Sequence, residues 1–234
     1  NITDWALAQF RTHYENKKTS KWDIFHYVYA LLHHPAYREK FADNLKRELP
    51  RIPYAPDFRA FATAGKKLAD LHLNYESAKE FLLKEKITPG TPRSPRVESK
   101  MKLTKDKAAL IVNDSITLTG IPPETFGYRL GNRSALDWII DQYQVYTDKR
   151  TGITNDPNAW GDEHGNTEYI IELVARVITV SLETLKIVKG LPKEYAEASC
   201  LLKPRKRASI RFSPALMFRP RQREKPIGEG GIRT

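Results

Sequence analysis

Apolar residues recur at helical spacing in the first third of the chain, and cap residues divide this stretch into four predicted helices. The second begins at Ser20, with Asp23 at the third helical position as in a shortened capping box. The third begins at Pro35, which suits a first turn, and the fourth is capped by Asp57. The segments are ITDWALAQFRTHY, with apolar Trp5, Leu7, Phe10 and Tyr14, then SKWDIFHYVYALLHH, PAYREKFADNLKREL, and DFRAFATAGKKLADLHLNY, with apolar Phe58, Phe61, Leu68 and Leu71.

Three prolines interrupt this helical region in the segment PRIPYAP. Pro50, Pro53 and Pro56 each fix φ and lack a backbone donor, so neither a helix nor a sheet ladder can run through them. We therefore predict an extended segment. We also expect it to act as a stiff connection between the helical region and the part that follows.

The periodicity changes from helical to extended after the breaker-rich stretch KITPGTPRSPRVESK. KMKLTKDKAALIVNDSITLTGIP predicts two or three short strands with turns at KDK and ND. A helix over residues 134–144 follows, with Ser134 as its N-cap and Asp137 in its first turn. TEYIIELVARVITVSLETLKIVKG predicts a last helix that ends at Gly190, although its β-branched residues leave a strand in its middle open. Four residues of the 134–144 helix are expected to face the core: Leu136, Ile139, Ile140 and Tyr143.

These elements predict an α+β protein. Helices occupy residues 1–76, and a small mixed sheet packed with the helices at 134–144 and 168–189 occupies residues 77–192. Residues 193–234 are expected to be an unstructured tail rich in Arg and Pro, because they show neither periodicity.

Charge adds little to this interpretation, because most of the net charge of +11 lies in the tail. Residues 199–234 carry ten Lys or Arg and two Asp or Glu, which leaves +3 for residues 1–198. The one cysteine, Cys200, excludes an internal disulfide framework and favours a reducing, cytoplasmic setting. No apolar run is long enough to span a bilayer, and the first residues do not form a signal peptide.

Motifs for catalysis or metal binding are weak. NDPNAW is similar to the loop that holds the target amino group in amino-methyltransferases, but it lacks the second proline, and an Asp-Pro turn explains it better. Asp57 with Glu98 and Lys100 matches a nuclease pattern only superficially, since Asp57 suits a helix cap. His33 and His34 cannot face one metal from a rigid helix, and GDEHGN at 161–166 is more typical of a solvated turn. We therefore expect no catalytic residue, metal site or cofactor in this chain.

The stretch GYRLGNRSALDWIIDQYQVYTDKRTGITNDPN, residues 127–158, combines a short helix with many hydrogen-bonding side chains. Arg can donate two hydrogen bonds to a guanine edge, and Asn can do the same at adenine. Lys and Arg also neutralise phosphates. The candidate nucleic-acid contacts are Arg129, Asn132, Arg133, Lys149, Arg150 and Asn155.

A polar surface loop beside a capped helix explains the same composition. Arg133 or Arg150 could instead pair inside the fold with one of three nearby carboxylates, Asp137, Asp141 or Asp148. Composition alone does not decide between these interpretations.

Three stretches resemble the C-terminal target-recognition region of the Type ISP restriction-modification enzymes. They are DIFHYVYALLHHPAYREKFADNLKRELPRIP at 23–53, KLADLHLNYE at 67–76, and IPPETFGYRLGNRSALDWIIDQYQVYTDKRTGITNDPN at 121–158. Their order and spacing match the family to about Pro192, and the third stretch is the most specific. The tail departs from the family pattern, so we expect that it is not native to the family.

The resemblance implies a parent polypeptide with a nuclease, an ATP-driven translocase and an adenine-specific methyltransferase ahead of this region. Those upstream domains would use S-adenosylmethionine, ATP and magnesium, and this chain would bind no cofactor. Residues 1–76 would be a helical connector from the methyltransferase domain, and residues 77–192 a target-recognition domain for double-stranded DNA. Recognition would position the target adenine for methylation and license translocation and cleavage by the upstream domains.

Two other functions stay open at this point. The aromatic-rich helices over residues 1–48 also suit a protein-interaction or scaffold module, and a degenerate fragment of a DNA methyltransferase is a third interpretation. Binding that weakens steeply with salt would favour DNA recognition, whereas binding of S-adenosylmethionine would favour the fragment. Neither a membrane nor a small-molecule substrate is expected.

Overall fold

The computed structural model describes residues 2–196, and it confirms the α+β class. A helical part comes first, followed by short strands and three more helices. No helix among the described residues is long and apolar enough to cross a membrane. The helices are α1 (Asp4–His13), α2 (Lys21–His33), α3 (Pro35–Lys40), α4 (Ala42–Arg47), α5 (Phe58–Leu73), α6 (Ala135–Gln142), α7 (Asn158–Glu163) and α8 (Tyr169–Lys189). The strands are β1 (Lys84–Ile87), β2 (Lys102–Leu103), β3 (Ala109–Ile111), β4 (Ile116–Thr119), β5 (Arg129–Leu130), β6 (Arg133–Ser134), β7 (Tyr146–Thr147) and β8 (Thr154–Asn155).

Helices α2 and α5 form the centre of the helical part. The predicted caps are confirmed: Ser20 and Asp23 form a capping box at α2, and Asp57 accepts a hydrogen bond of 2.8 Å from the amide of Ala60 at α5. The two helices pack so closely that a Cβ at Gly65 would lie 1.8 Å from the carbonyl oxygen of His26. Glycine is therefore required at this contact.

Two details of the helical part differ from the prediction. The segment that begins at Pro35 forms two helices, α3 and α4, which break at Phe41, where the ring packs 4.9 Å from that of Tyr37. In α1, Phe10 is buried but Trp5 is 47% exposed, so the apolar pattern of α1 is only partly a core stripe.

The proline segment, residues 50–56, is extended as predicted, but it lies within the helical part, between α4 and α5. The hydroxyl of Tyr27 donates to the carbonyl of Pro53 at 2.7 Å and accepts from the amide of Ala55 at 2.9 Å. The hydroxyl of Tyr37 donates to the carbonyl of Arg51 at 2.7 Å. These bonds hold the segment against α2 and α3. The expectation that it connects the helical region to the second part is therefore wrong.

Strands β1 to β4 form one sheet in the order β1-β4-β3-β2. A mixed sheet was expected, but all of its pairs are antiparallel. The reason is that none of its connections contains the crossover helix that parallel neighbours need. Leu110, Ile116 and Leu118 are buried on the inner face, in one core with residues of α6 and α8. Strand β1 was not predicted, since all four of its residues are exposed and KEKI shows little apolar alternation.

Helix α8 packs against both parts of the molecule and is helical throughout, so the strand left open in its middle does not form. Its first half contributes Leu173 and Val177 to the core of the second part, and Val188 near its end packs against buried residues of the helical part. An unstructured tail was expected over residues 193–234, and its residues from position 197 onward lie outside the described residues.

Candidate functional site

The first group of candidate residues lies on the β5–β6 hairpin, directly before α6. Gly131 has φ +71° at its turn, and the exposed Arg129 donates from its guanidinium to the carbonyl of Asn132. The indole nitrogen of Trp138 donates to the carbonyl of Leu130 at 3.1 Å, which fixes the hairpin to α6. Arg129 is thus partly used to close its own turn.

Helix α6 begins and packs as predicted. Ser134 and Asp137 form a capping box. The four residues expected to face the core are all buried: Leu136, Ile139, Ile140 and Tyr143.

Arg133 extends along α6 rather than away from it. Its guanidinium lies 5.6 Å from the ring of Trp138 and forms an ion pair with Asp141. The same carboxylate pairs with Lys100, which stands just before β2. For Arg133, then, the structure shows the internal pairing that the sequence left open.

The second group lies on the β7–β8 hairpin, a two-stranded ribbon in a region predicted as a loop. Tyr146 pairs with Asn155 and Thr147 with Thr154. The carboxylate of Asp148 accepts hydrogen bonds from the amides of Thr151 at 2.9 Å and Arg150 at 2.8 Å, and these bonds lower the pKa of Asp148.

Backbone bonds complete the tip of this hairpin. The amide of Gly152 donates to the carbonyl of Asp148 at 2.8 Å, and Gly152 has φ +69°, in the left-handed region that glycine adopts without strain. The tip therefore has a defined backbone conformation.

Ion pairing separates Arg93 and Arg96 from the two cations at the tip of the β7–β8 hairpin. Arg93 donates to both Glu168 and Glu85, and Arg96 donates to Asp162 at 2.7 Å, so both arginines hold the loop before β2 against the rest of the fold. Within residues 2–196, neither Lys149 nor Arg150 forms an ion pair, and both are exposed. Asp148 beside them binds backbone amides instead. The cations at the hairpin tip are therefore available to a ligand.

Asn158, at the start of α7, anchors the end of the hairpin. It is buried, its side-chain oxygen accepts from the amide of Val97 at 2.9 Å, and its side-chain nitrogen donates to the carbonyl of Val97 at 2.8 Å. Asp156 accepts from the amide of Asn158 at 2.9 Å. This confirms the structural interpretation of the NDPN sequence as an Asp-Pro turn.

The two groups of candidate residues lie at opposite ends of α6 and are connected through polar contacts at its C-terminal end. The amide nitrogen of the Gln144 side chain donates to the carbonyl of Asp141 at 2.9 Å, and that of Asn155 lies 3.4 Å from the carbonyl of Gln144. The side chain of Arg133 forms its ion pair with the carboxylate of the same Asp141. The structure thus joins Arg133 to the base of the hairpin that carries Lys149 and Arg150.

Sequence reasoning missed the strands β7 and β8 and two exposed apolar residues of this hairpin, Tyr146 in β7 and Ile153 directly before β8. The signal was present: β-branched and aromatic residues flank a turn that begins with Asp and ends with Gly. Strands of two residues are too short for the alternation that identifies a strand.

The weaker motifs have structural roles in this fold. Asp57 caps α5, Lys100 pairs with Asp141, and His164 stacks on Trp160 with ring centroids 4.2 Å apart. No group of three or more His, Cys, Asp or Glu side chains in the described range could hold a metal ion.

Comparison with known proteins gives the family. The model of the Type ISP C-terminal specificity domain matches residues 1–173, and the chain therefore belongs to this family. No curated protein matches it.

The solved structures that are similar to the chain include the following three. One is a nuclease-deletion mutant of the Type ISP restriction-modification enzyme LlaGI in complex with a DNA substrate mimic, with 42% identity, a TM-score of 0.69, and coverage of 76% of this chain and 17% of that one. Another is the ATP-dependent Type ISP enzyme LlaBIII bound to DNA, with 35% identity, a TM-score of 0.73, and coverage of 83% and 12%. The third is a DrdV–DNA complex solved by cryo-electron microscopy, with 42% identity, a TM-score of 0.70, and coverage of 82% and 20%. The matched region thus spans at most a fifth of each of these proteins.

Proposed function

We propose that this chain recognises a specific sequence in double-stranded DNA as the specificity domain of a restriction-modification enzyme. The observation that carries the proposal is the β7–β8 hairpin, whose fixed tip exposes Lys149 and Arg150 without an ion pair among residues 2–196. The family and the DNA-bound state of the three similar proteins support it.

A two-stranded hairpin of this kind suits duplex DNA. The major groove is about 12 Å wide and admits a two-stranded β-ribbon. In this arrangement Lys149 neutralises a phosphate, and Arg150 donates two hydrogen bonds to a guanine edge. Asn155 at the base of the ribbon approaches an adjacent base, and Asn132 approaches from the β5–β6 turn. Contacts to phosphates fix the register, while contacts to bases provide the specificity.

Arg129 and Arg133 have a different role in this proposal. Both already bind groups of the protein, Arg129 the carbonyl of Asn132 and Arg133 the carboxylate of Asp141. Each remains exposed enough to share its guanidinium with a phosphate, so they position the DNA beside the hairpin rather than contact bases.

Within the parent enzyme, the recognised site would be presented to the methyltransferase domain, which extrudes the target adenine. Recognition of an unmethylated site would license translocation and cleavage. The chain itself carries no catalytic role in this proposal, and S-adenosylmethionine, ATP and magnesium act in the other domains, in the cytoplasm. The methyltransferase domain is the partner that we expect at the helical part, where Trp22 is 68% exposed and its ring lies 5.5 Å from that of Phe25.

The test compares two double variants that remove the same charge. Lys149→Ala with Arg150→Ala removes both cations of the hairpin tip, whereas Lys17→Ala with Lys18→Ala removes two exposed cations from the turn between α1 and α2. Binding to duplex DNA is measured by fluorescence anisotropy between 50 and 200 mM salt. We expect the hairpin variant to bind more weakly and to lower the salt slope by about one, since Lys149 supplies the phosphate contact that is lost and each such contact contributes about one. Equal behaviour of the two variants would contradict the proposal.

A further inference from the structure

Two large apolar side chains stand exposed on the β7–β8 hairpin, beside the available cations. Tyr146 is 53% exposed and Ile153 is 67% exposed. Single exposed apolar residues are common on protein surfaces. The position of this pair on a ribbon with polar and cationic neighbours is what requires an explanation.

The strand register places both side chains on one face of the ribbon. Tyr146 is directly opposite Asn155, and directly paired residues share a face. The amide of Asp148 donates to the carbonyl of Ile153 at 2.9 Å, so these two residues form the next rung, with the same orientation as the first by the two-residue period of a strand. Thr147 and Thr154 occupy the opposite face, where their hydroxyl oxygens lie 2.9 Å apart. One face therefore combines two apolar side chains with the amide of Asn155 and with Asp148, whose carboxylate turns back to accept from the amides of Arg150 and Thr151.

This combination matches the major-groove edge of an A·T base pair. Adenine presents N7 and its N6 amino group, to which an Asn side chain can form two hydrogen bonds, and thymine presents its C5-methyl group, which favours apolar contact. Asn155 in β8 and Ile153 directly before β8 are two residues apart and share a face, so one side chain can approach the purine while the other approaches the pyrimidine or its neighbour. We propose that Ile153, with Tyr146 beside it, packs against the C5-methyl group of a thymine, and hence that the recognised sequence includes an A·T pair under this face.

This inference rests on the proposed function, and a thymine-to-uracil exchange separates the two. Duplexes bound by the 234-residue chain are first selected from a random thymine-containing library. The selected duplexes are then synthesised with deoxyuridine at every thymidine, which removes only the methyl groups. Affinity for both forms is measured for the wild type, for Ile153→Ala, and for the control Leu73→Ala, which removes an aliphatic side chain that is 75% exposed on the helical part.

We expect the wild type and Leu73→Ala to bind the uracil form roughly fourfold more weakly, as the burial of one methyl group is worth about 0.8 kcal/mol. Ile153→Ala should bind the thymine form more weakly than the wild type and should show little difference between the two forms. Thermal melting of the variant checks that the hairpin substitution leaves the fold intact.

Three outcomes would overturn the inference. Equal wild-type affinity for both forms, with sequence preference retained, would exclude the methyl contact but would still support DNA recognition. A thymine preference that persists in Ile153→Ala would place the methyl contact elsewhere, and an equal loss on both forms would assign Ile153 another role. Failure to select any preferred duplex would instead overturn the proposed function itself.

Discussion

Among single residues, Asp141 forms ion pairs with two cations of the site and so limits their binding to a phosphate. Its carboxylate pairs with both Lys100 and Arg133, and its side chain is 22% exposed. A phosphate that approaches Arg133 must compete with this carboxylate. The acidic residue therefore opposes DNA binding while it orders the two side chains.

We predict that Asp141→Asn increases the affinity for duplex DNA. The substitution removes one negative charge and releases two cations, so binding should tighten by up to about fivefold, because a unit charge pair at close range in water is worth about 1 kcal/mol. The salt slope should also steepen. Loss of the ion pairs of Asp141 with Lys100 and Arg133 should cost at most about 2 kcal/mol of stability, about 1 kcal/mol for each pair.

The control for this prediction is Glu183→Gln, which removes an equal charge from an exposed pair with Lys186 on α8. Salt titrations of both variants, with melting curves alongside, check the prediction. Weaker binding by Asp141→Asn would show that the ion pairs hold the site in its binding conformation.

The sequence predicts some of these residue-level features and not others. The capping box of Ser134 and Asp137 follows from their spacing, because a cap depends only on local geometry. The pairing of Asp141 with Lys100 joins residues 41 positions apart and depends on how the strand β2 packs near α6. The local sequence pattern therefore does not predict whether Arg133 is free or paired.

At the scale of elements, the β7–β8 hairpin is supported mainly at its two ends. A two-stranded ribbon is marginally stable by itself in water. Asp148 and Gly152 fix its tip, and Asn158 fixes its exit to the loop around Val97. The hairpin can thus stay defined while its side chains remain exposed.

We predict that Asn158→Ala destabilises the fold by about 1–3 kcal/mol, because it leaves the buried amide of Val97 without a partner. Asn132→Ala, at the exposed β5–β6 turn, should change stability by no more than about 0.5 kcal/mol. Urea denaturation of both variants measures the difference. A neutral Asn158→Ala would mean that the exit of the hairpin is held by other contacts.

At the scale of the whole molecule, His72 connects the two parts through buried hydrogen bonds. Its Nδ1 lies 2.6 Å from the hydroxyl of Tyr29 in α2, and its Nε2 lies 2.8 Å from the hydroxyl of Thr184 in α8. Its ring also stacks on that of Tyr128, with centroids 5.3 Å apart. None of these partners is near His72 in the sequence. The sequence therefore predicted separate units over 1–76 and 77–192, and it did not predict that helix α8 packs against both. That boundary stays a prediction.

Burial, with a smaller contribution from nearby His33, lowers the pKa of His72 to about 3. The unfolded chain then binds more protons than the folded one between about pH 3 and the ordinary histidine pKa near 6.5, so stability falls as the pH falls through this window. We predict that the free energy of unfolding decreases by about 1.4 kcal/mol between pH 7.5 and 5.5 from this residue alone. His72→Gln should flatten the profile over that range. Urea titrations at several pH values check it, and a wild-type profile without this slope would contradict the buried neutral histidine.

Selection from a random duplex library measures whether the hairpin tip of this chain recognises bases in duplex DNA. The wild-type chain and Arg150→Ala are each used to select bound duplexes, which are then sequenced. We predict that the wild type enriches one defined sequence. Arg150→Ala should enrich the same sequence with one guanine position relaxed, at a cost of about 1–3 kcal/mol in affinity for the original site. An Arg150→Ala variant that selects the wild-type sequence with unchanged affinity and preference at every position would show that Arg150 recognises no base.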